Sequence, residues 1–161
     1  GVSGPSHAVN PLTVINGSTF TSEIVWHVDA NFEEVAFQVE ASNLYKSGVF
    51  CKPDTANVPE CEVAPIPIEL SAGVGIQPEA GNILGGGPNV LSWTNYSGNP
   101  IGLFETIKST CRTFGSMQGG HFSQDVSTFI TYNNDDLERP QGQYVGKVRL
   151  TVMLPMTNTL G

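Results

Sequence analysis

Residues 144–154 read YVGKVRLTVML, and the alternation in that stretch decides the fold class. Tyr144, Val148, Leu150, Val152 and Leu154 share one parity, while Lys147, Arg149 and Thr151 share the other. Successive side chains of a strand point to opposite faces, so the stretch is expected to be a β-strand with one buried and one wet face. The same period runs upstream. In 33–41, Val35, Phe37, Val39 and Ala41 alternate with Glu34, Gln38 and Glu40. In 24–29, Ile24, Trp26 and Val28 alternate with Val25, His27 and Asp29, and the short connection DANFEE predicts a hairpin between the two. Val126–Tyr132, rich in β-branched and aromatic residues, is expected to neighbour the Tyr144 strand across the loop 133–143.

Weaker strands fall between these. Val63–Leu70 carries Ile66, Ile68 and Leu70 in phase, but Pro65 and Pro67 lack amide donors, which predicts an edge strand. Val90–Thr94 is a short strand reached through the glycine-rich GNILGGGPN. Residues 104–114 fit two readings equally: a helical stripe of Phe104, Ile107 and Cys111, or a strand suited to their threonines and isoleucine. The 18 glycines and 11 prolines are spread along the chain, as in many short strands joined by turns. The expected fold is therefore all-β: an antiparallel two-sheet sandwich, immunoglobulin-like or jelly roll. It occupies residues 16–161 as one domain after an N-terminal extension, 1–15.

The 161 residues are 39% hydrophobic and only 14% charged, with a net charge of −8. Residues 1–80 carry ten acidic and two basic side chains, and residues 81–161 carry five of each. A net-acidic chain without a basic cluster repels phosphate backbones, so nucleic acid is not an expected partner. No run approaches the roughly 18 apolar residues of a membrane-spanning helix. Cys51 and Cys61 flank KPDTANVPE, a loop-like stretch that a disulfide would close in an exported protein; Cys111 is left over. With low charge and a start at Gly1 rather than Met, an extracellular location is expected.

Motifs for chemistry are lacking. There is no GxSxG, Walker A, HExxH or GxGxxG sequence, and His7, His27 and His121 are scattered without zinc spacing. Asn133–Asp136 is a cluster of oxygen ligands that calcium favours and also a common turn composition. No enzymatic activity, cofactor or metal is expected. Trp93, Asn95 and Tyr96 form a candidate sugar-stacking patch, the basis of an alternative reading as a secreted carbohydrate-binding or adhesin module. A viral capsid or decoration jelly roll is a third.

The stretch GQYVGKVRLTVML, 142–154, resembles the terminal strand of secreted pilus subunits of the spore-coat-protein-U type, which chaperones and ushers assemble. The resemblance lies in Gly142, Tyr144, Val148, Leu150, Thr151 and Val152. It implies an incomplete immunoglobulin-like sandwich, completed by the N-terminal strand of the next subunit. The donor would be about Ser6 to Ile15, with Ala8, Leu12 and Val14 filling the groove. Val148, Leu150, Val152 and Leu154 would line the acceptor. The implied product is a cell-surface filament of identical subunits joined head to tail, with a periplasmic chaperone and an usher as further partners. This chain departs from the family in its closely spaced Cys51 and Cys61 and in the tail PMTNTLG after Leu154.

Overall fold

The computed structural model describes residues 2–3, 17–47, 63–79, 83–84 and 89–154, and these form an all-β sandwich. The strands in chain order are β1 (Val2–Ser3), β2 (Ser18–Ala30), β3 (Glu34–Ala41), β4 (Tyr45–Lys46), β5 (Val74–Pro78), β6 (Ile83–Leu84) and β7 (Val90–Leu91), then β8 (Trp93–Ser97), β9 (Ile107–Ser109), β10 (Arg112–Ser116), β11 (Phe122–Asn134), β12 (Tyr144–Val145) and β13 (Val148–Met153). Sheet A runs β1-β2-β11-β5-β7. In sheet B, β13 lies on one edge of β3, with β9 and β10 on the other; β8 lies beyond β9, and β6 beyond β10. All pairings are antiparallel, and β12 with β4 prolongs the β13–β3 ribbon.

The alternating residues behave as their parity demands. Val35, Phe37, Val39 and Ala41 are fully buried from sheet B, facing Val28, Phe122, Val126 and Ile130 of sheet A. Phe37 anchors the contact between layers. Its ring meets Phe122 edge-on at 5.7 Å and Phe114 at 5.6 Å, arrangements that suit the quadrupoles of aromatic rings.

Two local expectations are corrected by the pairing. The connection DANFEE is not a hairpin, because β2 pairs β11 in sheet A while β3 pairs β10 in sheet B. It is an arch from one sheet to the other, and the β10–β11 connection makes a second arch beside it. The two are tied at the tip, where the amides of Ser116 and Gly120 donate to the Glu33 carbonyl and carboxylate (2.7 and 2.9 Å). Likewise β11 pairs β2 and β5, whereas the strand that follows it pairs β3 in the other sheet. An arch and a hairpin need the same alternation and the same short link; only the hydrogen-bond partner differs.

Residues 104–114 resolve as β9 and β10 separated by a bulge. Lys108 opposes Glu40 and Arg112 opposes Phe37, so one extra residue sits on the β9–β10 side. The Ser109 hydroxyl accepts the Val39 amide at 2.9 Å and fills the ladder there. Parity flips across the bulge: Ser109 is buried on one side and Phe114 on the other, while Cys111 is an exposed free thiol.

Val63–Leu70 is not an edge. Leu44 and Ile66 exchange backbone hydrogen bonds of 3.0 and 2.8 Å, the Pro67 carbonyl accepts from Asn133, and the Glu69 amide donates to Thr131. Prolines are tolerated because the segment meets β11 through its carbonyls and the Glu69 amide. A short 3-10 turn (Leu70–Ala72) then carries the chain into β5. This segment therefore stitches β11 of sheet A to the end of the β3–β4 ribbon of sheet B along one long side of the sandwich.

Arg139 locks the stitch. Its guanidinium is buried and donates to Asn134 Oδ1 (2.6 Å), the Pro65 carbonyl (3.0 Å) and Asp135 Oδ1 (3.2 Å). Asp136 Oδ1 accepts the Glu138 amide at 2.9 Å. The Asn133–Asp136 cluster is thus the end of β11 and the first residues beyond it, held by an arginine and a backbone amide, and no metal-binding group of three acidic, His or Cys residues occurs among the described residues.

A further deviation concerns Glu40, which faces outward as its parity requires but is buried. The loop 98–106 crosses the outer face of sheet B above it. Glu40 accepts the Asn99 amide at 2.6 Å and lies 3.4 Å from Arg149 Nη1. A Cβ at Gly98 would come within 2.4 Å of the Glu40 carboxylate and 2.5 Å of Thr106 Oγ1, so only glycine fits there.

Candidate functional site: an open seam between two edge strands

The long side opposite the stitch is formed by β2 of sheet A and β13 of sheet B. β13 has β3 as its ladder partner, and no ladder joins β2 to β13 among the described residues. On the free edge of β2 the described ladder is β1, with Val2 opposite Val28 and Ser3 opposite His27. β1 also lies beside β13, so the N-terminal strand enters the top of the seam.

The side chains along this seam are apolar and incompletely covered. Phe20, Ile24 and Trp26 of β2 face inward, yet all are only half-buried; Val28, next to β1, is fully buried. Across the seam, Val148 and Val152 of β13 are half-buried, and Leu150 between them is buried. Their cross-strand partners Ala41, Val39 and Phe37 are fully buried, so the exposure belongs to the edge and not to the register. Trp26 is fixed in place by its Nε1–H, which donates to Thr128 Oγ1 at 2.9 Å.

Of the four expected acceptor residues, Val148, Leu150 and Val152 lie on the inner face of β13. Leu154 does not belong with them: it lies beyond the strand and is 50% exposed. Tyr144 also leaves the row, since the register shifts by one residue between β13–β3 and β12–β4. Its phenol donates to the Pro140 carbonyl at 2.7 Å, and burial raises its pKa. Ala8, Leu12 and Val14 lie outside the described residues, as do Cys51 and Cys61. That Phe20, Ile24 and Trp26 are only partly covered escapes a reading of the sequence alone, because the alternation there is the same as in a fully covered strand.

The candidate sugar patch is divided by the fold. Trp93 packs against the core with its Nε1 buried and without a hydrogen-bond partner, while Asn95 and Tyr96 face solvent. Tyr96 is 71% exposed, with Lys108 Nζ 5.8 Å from its ring centroid. The closest approach to a catalytic pair is His27 Nδ1 and Asp125 Oδ1 at 3.0 Å, both about half-exposed on the outer face of sheet A. His121 Nδ1 rests 3.0 Å from the Gly119 carbonyl. No helix is long and apolar enough to cross a membrane among the described residues. No family model, curated protein or solved structure matches this chain.

Proposed function

We infer that the chain is the structural subunit of an extracellular filament of the pilus kind, polymerised when the N-terminal strand of one copy fills the β2–β13 seam of the next. The observation that carries this reading is the pair of facing edge strands whose inward apolar side chains are half-covered. Edges that face each other across an apolar groove with no ladder between them among the described residues suit strand addition, in which main-chain hydrogen bonds supply affinity and alternate side chains supply specificity.

The register of β1 supports the same occupant. Val2 opposes the inward-facing Val28, so even-numbered residues of a strand continuing that register face inward. Ala8, Leu12 and Val14 are all even. Such a strand would set Gly4 opposite Trp26, Ser6 opposite Ile24, Ala8 opposite Ser22 and Asn10 opposite Phe20, so small residues would meet Trp26 and Ile24. Supplied by a neighbour, the strand makes a head-to-tail contact that does not close, and a filament results. A periplasmic chaperone would protect the same seam before assembly.

Negative-stain electron microscopy and sedimentation test the reading. The full chain is expected to form filaments that survive mild denaturant, and deletion of residues 1–15 to leave a folded monomer. A synthetic peptide of residues 1–15 added to that deletion should bind and shift the fluorescence of Trp26. Filaments from the deletion variant, or a full chain that stays monomeric at every concentration, would overturn it.

A further inference from the structure

Away from the seam, sheet B ends on β8, which has β9 as its ladder partner and no strand on its other edge among the described residues. That ladder is interrupted. Trp93 opposes Ser109 and Ser97 opposes Ile107, so four steps along β8 face two along β9, and two residues are extra. The Thr94 hydroxyl braces the interruption: it donates to the Lys108 carbonyl at 2.7 Å and accepts the Tyr96 amide at 3.2 Å. Trp93 holds the start of the strand against the core, while Asn95, Tyr96 and Ser97 are exposed in succession. A regular strand alternates its faces, so three exposed neighbours mark a stretch pushed out of the sheet.

Those three residues spell Asn-Tyr-Ser. Asn-X-Ser, with X other than proline, is the acceptor pattern for N-linked sugars in exported proteins, and it belongs on the surface. The fold meets what such an acceptor needs. No side-chain hydrogen bond holds Asn95 among the described residues, and the Ser97 hydroxyl is exposed two residues on. The other sequence of this pattern, Asn16–Gly17–Ser18, begins outside the described residues.

We propose that Asn95 is a glycosylation site. Its amide nitrogen Nδ2 attacks the anomeric carbon of an oligosaccharide carried on a lipid pyrophosphate. The new N–C bond forms as the C–O bond to the pyrophosphate breaks, the amide gives up one proton, and the lipid pyrophosphate leaves. The modification does not depend on the assembly reading, but its consequence rests on it. A strand edge with unpaired amides and carbonyls invites further strands, and a bulky, hydrated sugar there blocks their approach. In sheet order β3 and β9 separate β8 from β13, so the sugar leaves the seam open. Glycosylated copies then add strands at the seam and not at β8.

Peptide mapping of the full chain, secreted from a cell that N-glycosylates its exported proteins, tests the site. The Asn95 peptide is expected to carry the sugar on most copies, and a peptide-N-glycosidase should leave Asp at that position. Ser97→Ala should lower occupancy by about tenfold or more, and Ser97→Thr should keep it, because the pattern asks for a hydroxyl. Ser97 is exposed, so neither substitution should move the thermal midpoint. Asn95→Gln removes the sugar and should lower, several-fold, the protein concentration at which filaments associate side by side. An Asn95 peptide that stays bare while a control acceptor protein from the same cells is modified would overturn the proposal, as would occupancy that survives Ser97→Ala. Unchanged association of Asn95→Gln filaments would overturn the covering role. A glycosylated chain that never forms filaments leaves the site standing and removes strand insertion; filaments of bare protein do the reverse.

Discussion

The two long sides of the sandwich bury similar side chains by different means. On one side a strand carrying two prolines hydrogen-bonds to both sheets, and Arg139 ties it to the end of β11. Ile66, Ile68 and Tyr132 are all buried there. On the other side no ladder joins β2 to β13 among the described residues, and Phe20, Ile24, Trp26, Val148 and Val152 stay half-covered. The contrast shows that period-two alternation specifies which way a side chain points. How deeply it is buried depends on whether a further strand covers it.

The sharpest test of this contrast compares two phenylalanines. Phe37→Ala removes a fully buried ring between the layers and should cost about 3–5 kcal/mol in urea unfolding. Phe20→Ala at the seam should cost less, about 2 kcal/mol in the monomer, because part of the ring is already wet. In assembled filaments the Phe20 penalty should grow toward that of Phe37. Equal penalties in the monomer would show that the seam is closed within a single chain.

Breaking the stitch comes next in size. Arg139→Ala strips the hydrogen bonds from Asn134 and from the Pro65 carbonyl and should destabilise the fold by about 2–4 kcal/mol. Because the damage lies on the side opposite the seam, binding of a peptide of residues 1–15 by surviving folded protein should be unchanged. Loss of both together would erase the distinction between the two sides.

The smallest effect concerns pH. Tyr132 sits beside the stitch, and burial pushes its phenol pKa well above the ordinary value. The folded chain then keeps a proton that the unfolded chain releases near pH 10, so the unfolded state binds fewer protons above that pH. Stability from this group is fully present below about pH 10 and declines above it, by up to about 1.4 kcal/mol per pH unit. Tyr132→Phe should flatten the alkaline limb by that amount and leave the neutral region unaffected. An unchanged limb would mean that the phenol reaches water through an open stitch.

Legibility followed the range of each interaction. The inward faces of β3 and β13 were readable because alternation is carried by neighbouring residues. The Phe104–Phe114 segment was ambiguous because its bulge reverses parity in mid-strand, which leaves apolar residues at spacings that imitate a helix. Pro65 and Pro67 suggested an edge, although both partners of that segment are satisfied by groups other than the proline nitrogens. Of the seam, the rows on β13 and on residues 24–28 of β2 were visible in the sequence, but not that they face each other with no ladder between them among the described residues.

By itself the sequence determined the all-β class, the facing of the long alternating strands and the acidic bias of the first half, each set by local residue order. Only the tertiary structure decided that DANFEE is an arch, that Glu40 is buried under a loop and that β2 and β13 border a seam. Those outcomes depend on which distant strand supplies each backbone hydrogen bond. Donors and acceptors are chemically alike along the chain, so their pairing is set by how the two sheets pack as a whole.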